Sequence, residues 1–310
     1  MFSFENHPLF LAPLAGFSDL PLRSVVKRFG CDATVSEMIS ANALVFCPEK
    51  SLKMIKKSKN ETPYFVQIAG SDPKIIKQAV EILNEIDGID GIDLNCGCPV
   101  PKVVRQNAGS ALLQNLDLLS KLIEIIKKTS NKKYTSAKVR LGFDTKNPVN
   151  IALAVQNAGA DFIAMHARTR AGGYSAKPDY EAIAAAKSAV KIPLIANGNI
   201  NSQNANQILS LTKADALMIG RATIGNPWVF YEIKNQKTVA VDEKIKKEII
   251  LAHFDEMIKF YGDHGAVIFR KHLHEYSKGY SDYKNFRCEI NTITNAEKMR
   301  DKIKQFFEIS

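Results

Sequence analysis

The residue best placed to do chemistry is Cys98, in the stretch Gly91-Ile92-Asp93-Leu94-Asn95-Cys96-Gly97-Cys98-Pro99. Gly91 to Leu94 is long enough for one buried strand, and Asn95, Gly97 and Pro99 then break it into a tight turn. In an α/β protein the carboxyl ends of strands open onto the ligand site. Most free cysteines are small buried hydrophobes, but a Gly-Cys-Pro turn suits that poorly and its small neighbours leave the sulfur accessible. The turn therefore predicts a reactive Cys98. Cys31, Cys47, Cys96 and Cys288 bring the cysteines to five, an odd number at irregular spacing. With no paired Cys-x-x-Cys pattern and no His at ligand spacing, neither a disulfide framework nor a metal site is expected.

Other polar residues also close apolar runs: Pro13-Leu14-Ala15, Gln67, Lys138 with Arg140, His166, Asn197-Gly198-Asn199, and Gly220-Arg221. Each alone has an ordinary reading, such as an interior ion pair for Lys138, a satisfied core histidine for His166, or a simple turn at Asn197-Gly198. At successive strand ends they converge on one rim. The glycines after the last two strands fall where barrels bind a phosphate through backbone N–H groups. Lys138 and Gln67 could bond the polar edge of a planar cofactor.

The elements that position these residues alternate in type. Strands are expected at Leu9–Ala12, Ala33–Val35, Phe65–Ala69, Gly91–Leu94, Lys138–Leu141, Phe162–His166, Ile192–Ala196 and Ala216–Ile219. Helices fall between them, the first capped by Asp19 with Pro21 in its opening turn and Gly30 beyond its end, another starting at Asp72-Pro73. The lysines at 50, 53, 56, 57 and 59 read as a solvated face. Eight strands alternating with helices predict an α/β fold, a (β/α)8 TIM barrel over residues 1–235. From residue 236 to 310 only helical periodicity is left, as in Ile245, Ile249 and Ala252, which predicts a small all-helical domain.

The 310 residues, 45% apolar and 24% charged, fit a soluble globular protein. No run approaches the ~18 apolar residues of a membrane span, and residues 1–10 lack a secretory pattern. A cytoplasmic, monomeric protein with no membrane association is expected. The net charge of +10 favours a polyanionic partner. Most of the surplus lies in the barrel part, so an RNA surface should span both parts. In the helical part Arg270, Lys271, His272, His274, Tyr276, Lys278 and Tyr280 interleave cations with aromatics, which suits phosphate contacts and base stacking.

In order along the chain, Ala12-Pro13-Leu14-Ala15-Gly16, Val66-Gln67-Ile68-Ala69-Gly70, Asp93 to Pro99, Lys138-Val139-Arg140, His166-Ala167-Arg168-Thr169-Arg170, Asn197-Gly198-Asn199-Ile200 and Gly220-Arg221-Ala222 resemble the motifs of the tRNA-dihydrouridine synthases, most closely the bacterial B branch. The resemblance spans residues 9–230. It implies an FMN enzyme, with NADPH or NADH as reductant, that reduces a uracil of the tRNA D-loop to 5,6-dihydrouracil. Hydride would go to C6, and Cys98 would protonate C5 from the opposite face as general acid. An ordinary thiol, with a pKa near ~8.5, carries the proton this needs. FMN would be bound by Pro13, Leu14, Ala15, Gln67, Lys138, Asn197, Gly198, Asn199, Gly220 and Arg221, with His166 beside the ring. Asn95, Arg140, Arg168, Arg270 and Lys271 would contact the tRNA D-arm and adjoining backbone, and Cys96 takes the variable position of its motif. Two departures from the family pattern stand out: Asn199 where Asp is usual, and Gly172-Gly173 in place of a bulkier pair before Tyr174. The competing functions are an FMN barrel oxidoreductase on a free small molecule, of the dihydroorotate dehydrogenase kind, and a non-catalytic RNA binder. The Gly-Cys-Pro turn and the basic helical part weigh against the first, and an intact Cys98 with a complete flavin rim makes the second unnecessary.

Overall fold

The computed structural model describes residues 3–236 and 241–307. Its strands are β1 (Leu9–Leu11), β2 (Ala33–Val35), β3 (Ile39–Ser40), β4 (Tyr64–Ala69), β5 (Gly91–Cys96), β6 (Tyr134–Arg140), β7 (Phe162–His166), β8 (Leu194–Asn197) and β9 (Ala216–Ile219). All pair in parallel. β2 joins β4 and β1 joins β9, so eight strands close into a barrel. The ninth, β3, is a two-residue addition beside the end of β4 that the sequence pattern does not foretell. The expected (β/α)8 barrel is the observed fold.

Strand alternation sorts the side chains. Ile92, Leu94 and Cys96 of β5 face the helices, in the same apolar layer as Val66, Ile68, Val139 and Met165. The alternate residues face the barrel interior. Phe10, Phe65, Phe162, Ile195 and Met218 pack there as an apolar plug, with Phe4 and Tyr134 against it. Gly91 makes room for one of these rings, since a Cβ there would lie 2.7 Å from Phe65. Two residues further up each strand the interior turns polar. On β6 the sequence runs Tyr134, Ser136, Lys138, Arg140, and pairing sets Gln67 beside Asp93, Asp93 beside Ser136, and Asn95 beside Lys138.

The helices begin where the sequence marks them. Asp19 caps Leu20–Lys27 by accepting from the Leu22 N–H, and Asp72 caps Pro73–Asn84. The lysine-rich stretch is in part a helix, Pro48–Met54, preceded by a second, Ala41–Phe46. Beyond the barrel, helices Glu243–Tyr261, His264–Tyr276, Tyr283–Ile290 and Ala296–Phe306 enclose a second core of Phe254, Phe269, Tyr276, Phe286, Met299 and Ile303. The boundary expected after residue 235 falls beside 237–240, which lie outside the described residues. The helical unit leans on the first β/α unit. Tyr261 donates its hydroxyl to Asp19 (3.2 Å), and the Phe17 ring meets His272 edge-on at 5.4 Å.

Candidate active site

A cavity of about 700 Å3 opens at the carboxyl ends of the strands. Cys98 and all eleven residues expected to hold a cofactor line it, together with Asn95 and Arg140. No carboxylate is among the lining residues, whereas Lys138, Arg140 and Arg221 are. The cavity is therefore built for an anionic ligand, and its volume suits one of drug or cofactor size.

Cys98 is held by its own turn. Asn95, buried at the end of β5, accepts from the backbone N–H groups of Gly97 (3.2 Å) and Cys98 (2.9 Å) through Oδ1. Its Nδ2 donates to Gln67 Oε1 at 2.8 Å, and Gln67 Nε2 donates to Asp93 Oδ2 at 2.7 Å. Arg140 supports the turn from the other side, Nε donating to the Gly97 carbonyl at 2.7 Å. Cys98 is half-buried, while Cys96 is fully buried with its thiol directed at the Leu94 carbonyl. A polar turn with an accessible sulfur is thus set apart from an inert neighbour two residues away.

Burial and crowding tune the charges. The Lys138 amine donates to Asn197 Oδ1 at 2.9 Å, and burial, with the Arg140 charge adding to it, pushes its pKa down to about 8. His166 is driven to about 2, mainly by burial and then by Lys138, Arg140, Arg168 and Arg221, so its ring is neutral at neutral pH. Its Nδ1 is buried without a partner among the described residues. Asp93 lies beneath the cavity, and burial raises its carboxyl to about 6 against the lowering effect of bonds from Gln67 and Ser136.

The far wall is a backbone cradle. Asn197 is anchored by donating Nδ2 to the Met218 carbonyl (2.8 Å), and the chain then turns through Gly198 (φ +121°) and Asn199 (φ +55°). Asn is among the few side chains that tolerate this left-handed conformation. Among the described residues, no backbone bond engages the N–H groups of Asn199, Gly220 or Arg221. These donors, the orphaned His166 nitrogen and the cationic wall fit a planar cofactor carrying a phosphate.

Three expected contact residues lie elsewhere. Arg168 is buried and donates to the Ala176 carbonyl (2.5 Å), bracing the loop after β7. Arg270 donates to the Ile293 carbonyl inside the helical unit. Lys271 lies 5.3 Å over the Phe17 ring, at the cavity's edge. His272 and Tyr276, expected among the RNA-facing groups, are buried in the helical core, because the helical period turns them inward with Phe269 and Leu273. Tyr174 was missed. Its exposed ring lies between the site's cations, 4.4 Å from the Arg221 guanidinium and 5.7 Å from that of Arg140, and edge-on to His166. It sits directly after the Gly172-Gly173 departure, the one signal that pointed there.

A closed parallel barrel with an anion-binding cavity and a thiol at its rim is the frame of an enzyme. Comparison with known proteins gives the family. The dihydrouridine synthase family model matches residues 10–309. A probable tRNA-dihydrouridine synthase of Helicobacter pylori strain J99 is 48% identical over 301 residues, covering 96% of this chain and 92% of the relative. The tRNA-dihydrouridine synthase B of Vibrio cholerae is 38% identical over 97% of this chain and 95% of its own length. Among solved structures, a morphinone reductase mutant superposes with a TM-score of 0.55 at 12% identity, covering 77% of this chain and 90% of that one. An old yellow enzyme structure from Trypanosoma cruzi does so at 0.54 and 7%, covering 77% and 91%. These two share the fold. The chain belongs to the dihydrouridine synthase family and is an oxidoreductase. Membership implies a flavin cofactor. No helix among the described residues is long and apolar enough to cross a membrane.

Proposed function

We propose that this protein reduces the C5–C6 double bond of a uridine in the D-loop of tRNA, with FMN as its cofactor, NADPH or NADH as reductant and Cys98 as general acid. The observation that carries this reading is the Asn95-braced turn, which presents the one accessible thiol of the rim to a cation-lined cavity. When bound, FMN supplies the hydride that uracil receives at C6. Residues 13–15, Gln67, Asn197 to Asn199, Gly220 and Arg221 hold the cofactor, and Lys138 sets a positive charge at its polar edge. The neutral His166 ring completes the wall as a donor or acceptor rather than as a cation. Cys98 holds its proton on Sγ and delivers it to C5. The Arg140 clamp on the Gly97 carbonyl and the Asn95 bonds to the turn keep that sulfur in register.

The target base must leave its stack to reach Cys98. Asn95 and Arg140 face it from the cavity, and Lys271 offers a cation at the rim for the RNA backbone. Arg168 and Arg270 act through the loop and helix they brace. A cytoplasmic site of action, where tRNA is found, and a monomeric state follow the same reading. Nucleotide-resolved dihydrouridine mapping in cells lacking this gene, rescued with wild type or Cys98→Ala, tests it. Loss at a D-loop position that only wild type restores is the expected result. Unchanged dihydrouridine, in a cell with no second synthase, rules the reading out.

A further inference from the structure

From Ser136 and Asp93, which lie beneath the cavity and do not line it, a chain of hydrogen bonds runs up to the cavity wall: Ser136 Oγ to Asp93 Oδ1 (2.7 Å), Gln67 Nε2 to Asp93 Oδ2 (2.7 Å), Asn95 Nδ2 to Gln67 Oε1 (2.8 Å), and the Gly97 and Cys98 N–H groups to Asn95 Oδ1. We propose that Asp93 is a positioning residue for the Cys98 thiol, fixing the turn through the side-chain amides of Gln67 and Asn95. The inference rests on the functional reading above only for what the thiol is used for.

The argument is one of polarity. An amide side chain has a donor end and an acceptor end, and which way it points is set by its neighbours. At one end of this chain stand two backbone N–H groups, which only donate, so Asn95 must turn its oxygen to them and its nitrogen to Gln67. At the other end stands a carboxylate, which only accepts, so Gln67 must turn its nitrogen to Asp93 and its oxygen to Asn95. The two ends dictate the same orientation independently. Remove the acceptor at Asp93 and Gln67 is free to flip. Its nitrogen then confronts Asn95 Nδ2, and the turn loses its brace. Polarity also decides what the site offers: each amide keeps a single free N–H, so the face Gln67 and Asn95 present is donating, suited to acceptor atoms. A carboxylate costs free energy inside a barrel, and Asp93 has no cationic hydrogen-bond partner among the described residues, only Gln67 and Ser136. Orientation of the amides accounts for an ionisable group at that position.

Asp93→Asn keeps the polarity, because its oxygen can face Gln67 while its nitrogen donates to Ser136 Oγ. Asp93→Ala destroys it. The readout is the iodoacetamide alkylation rate of Cys98, followed peptide by peptide in purified protein, with the exposed Cys47 and Cys288 as internal references. Asp93→Ala is expected to speed alkylation of Cys98 about threefold or more, while Asp93→Asn stays close to wild type. Ser136→Ala, which removes one of the two bonds to Asp93, should act in the same direction by about twofold. In stopped-flow experiments on FMN-loaded protein Asp93→Ala should slow tRNA-dependent flavin reoxidation about tenfold, with Asp93→Asn again restoring the rate. A wild-type Cys98 alkylation rate in Asp93→Ala, or an Asp93→Asn rate raised as far as that of Asp93→Ala, overturns the inference. Should Asp93→Ala not fold, a wild-type rate in Ser136→Ala does so. If wild type makes no dihydrouridine, the functional reading fails, and the alkylation rates still decide the role of Asp93.

Discussion

Replacing Lys138 with Met should make the flavin-free protein more stable while disabling it. The Lys138 amine falls from its ordinary 10.5 to about 8 in the fold. At about 1.4 kcal/mol per pKa unit, keeping it charged at pH 7 costs the fold about 3 kcal/mol. The lost bond to Asn197 Oδ1 takes back about 1.5 kcal/mol. A net gain of about 1–2 kcal/mol is expected, or roughly 1.5–3 °C in Tm for a chain of this size. The sign has a pH signature. Below pH 8 the amine is protonated in both folded and unfolded chains and the full cost applies. Between 8 and 10.5 the folded state binds fewer protons, so wild type gains stability that the variant does not, about 2 kcal/mol by pH 9.5. Urea unfolding of flavin-free protein at pH 7 and 9.5 reads both terms. The same substitution should weaken FMN retention at least about tenfold, because a positive charge leaves the cofactor's polar edge. A variant less stable than wild type at pH 7, or a difference that does not change with pH, refutes the reasoning.

Cys98→Ala should lower dihydrouridine formation by about 10²–10⁴ with FMN still bound, whereas Cys96→Ala, at a thiol buried among apolar groups, should leave the rate near wild type. Arg221→Ala is expected to raise the FMN dissociation constant about tenfold or more, read by flavin fluorescence, since it removes a cation from a cavity with no carboxylate. Glu61→Gln should cost about 3–5 kcal/mol in urea unfolding. It removes the counter-charge of Arg23, which is fully buried and pairs with Glu61 at 2.6 Å.

Much of this was legible in the sequence because strands write their burial pattern into every second residue. The run Tyr134, Ser136, Lys138, Arg140 passes from plug to rim, and the turn residues after β5 and β8 mark where backbone must bend. The caps at Asp19 and Asp72 were equally plain. What stayed hidden depends on tertiary context. β3 is too short to leave a pattern. His272 and Tyr276 read as surface cations and aromatics, yet the helix turns them toward Phe269. Arg168 belongs to a family motif, but its guanidinium is drawn to the Ala176 carbonyl by the loop it braces. Tyr174 lies on a loop, where no periodicity speaks for it. Asp93 did leave a signal, a carboxylate inside an apolar strand, but its partners Gln67 and Ser136 meet it only through the barrel's register.

The most direct test loads the purified protein with FMN, reduces it with NADPH, and mixes it anaerobically with unmodified tRNA. Flavin reoxidation matched by an equal amount of dihydrouridine at a D-loop position, and lost in Cys98→Ala, is the result this account predicts. Reoxidation by a free pyrimidine with tRNA left unchanged would contradict it.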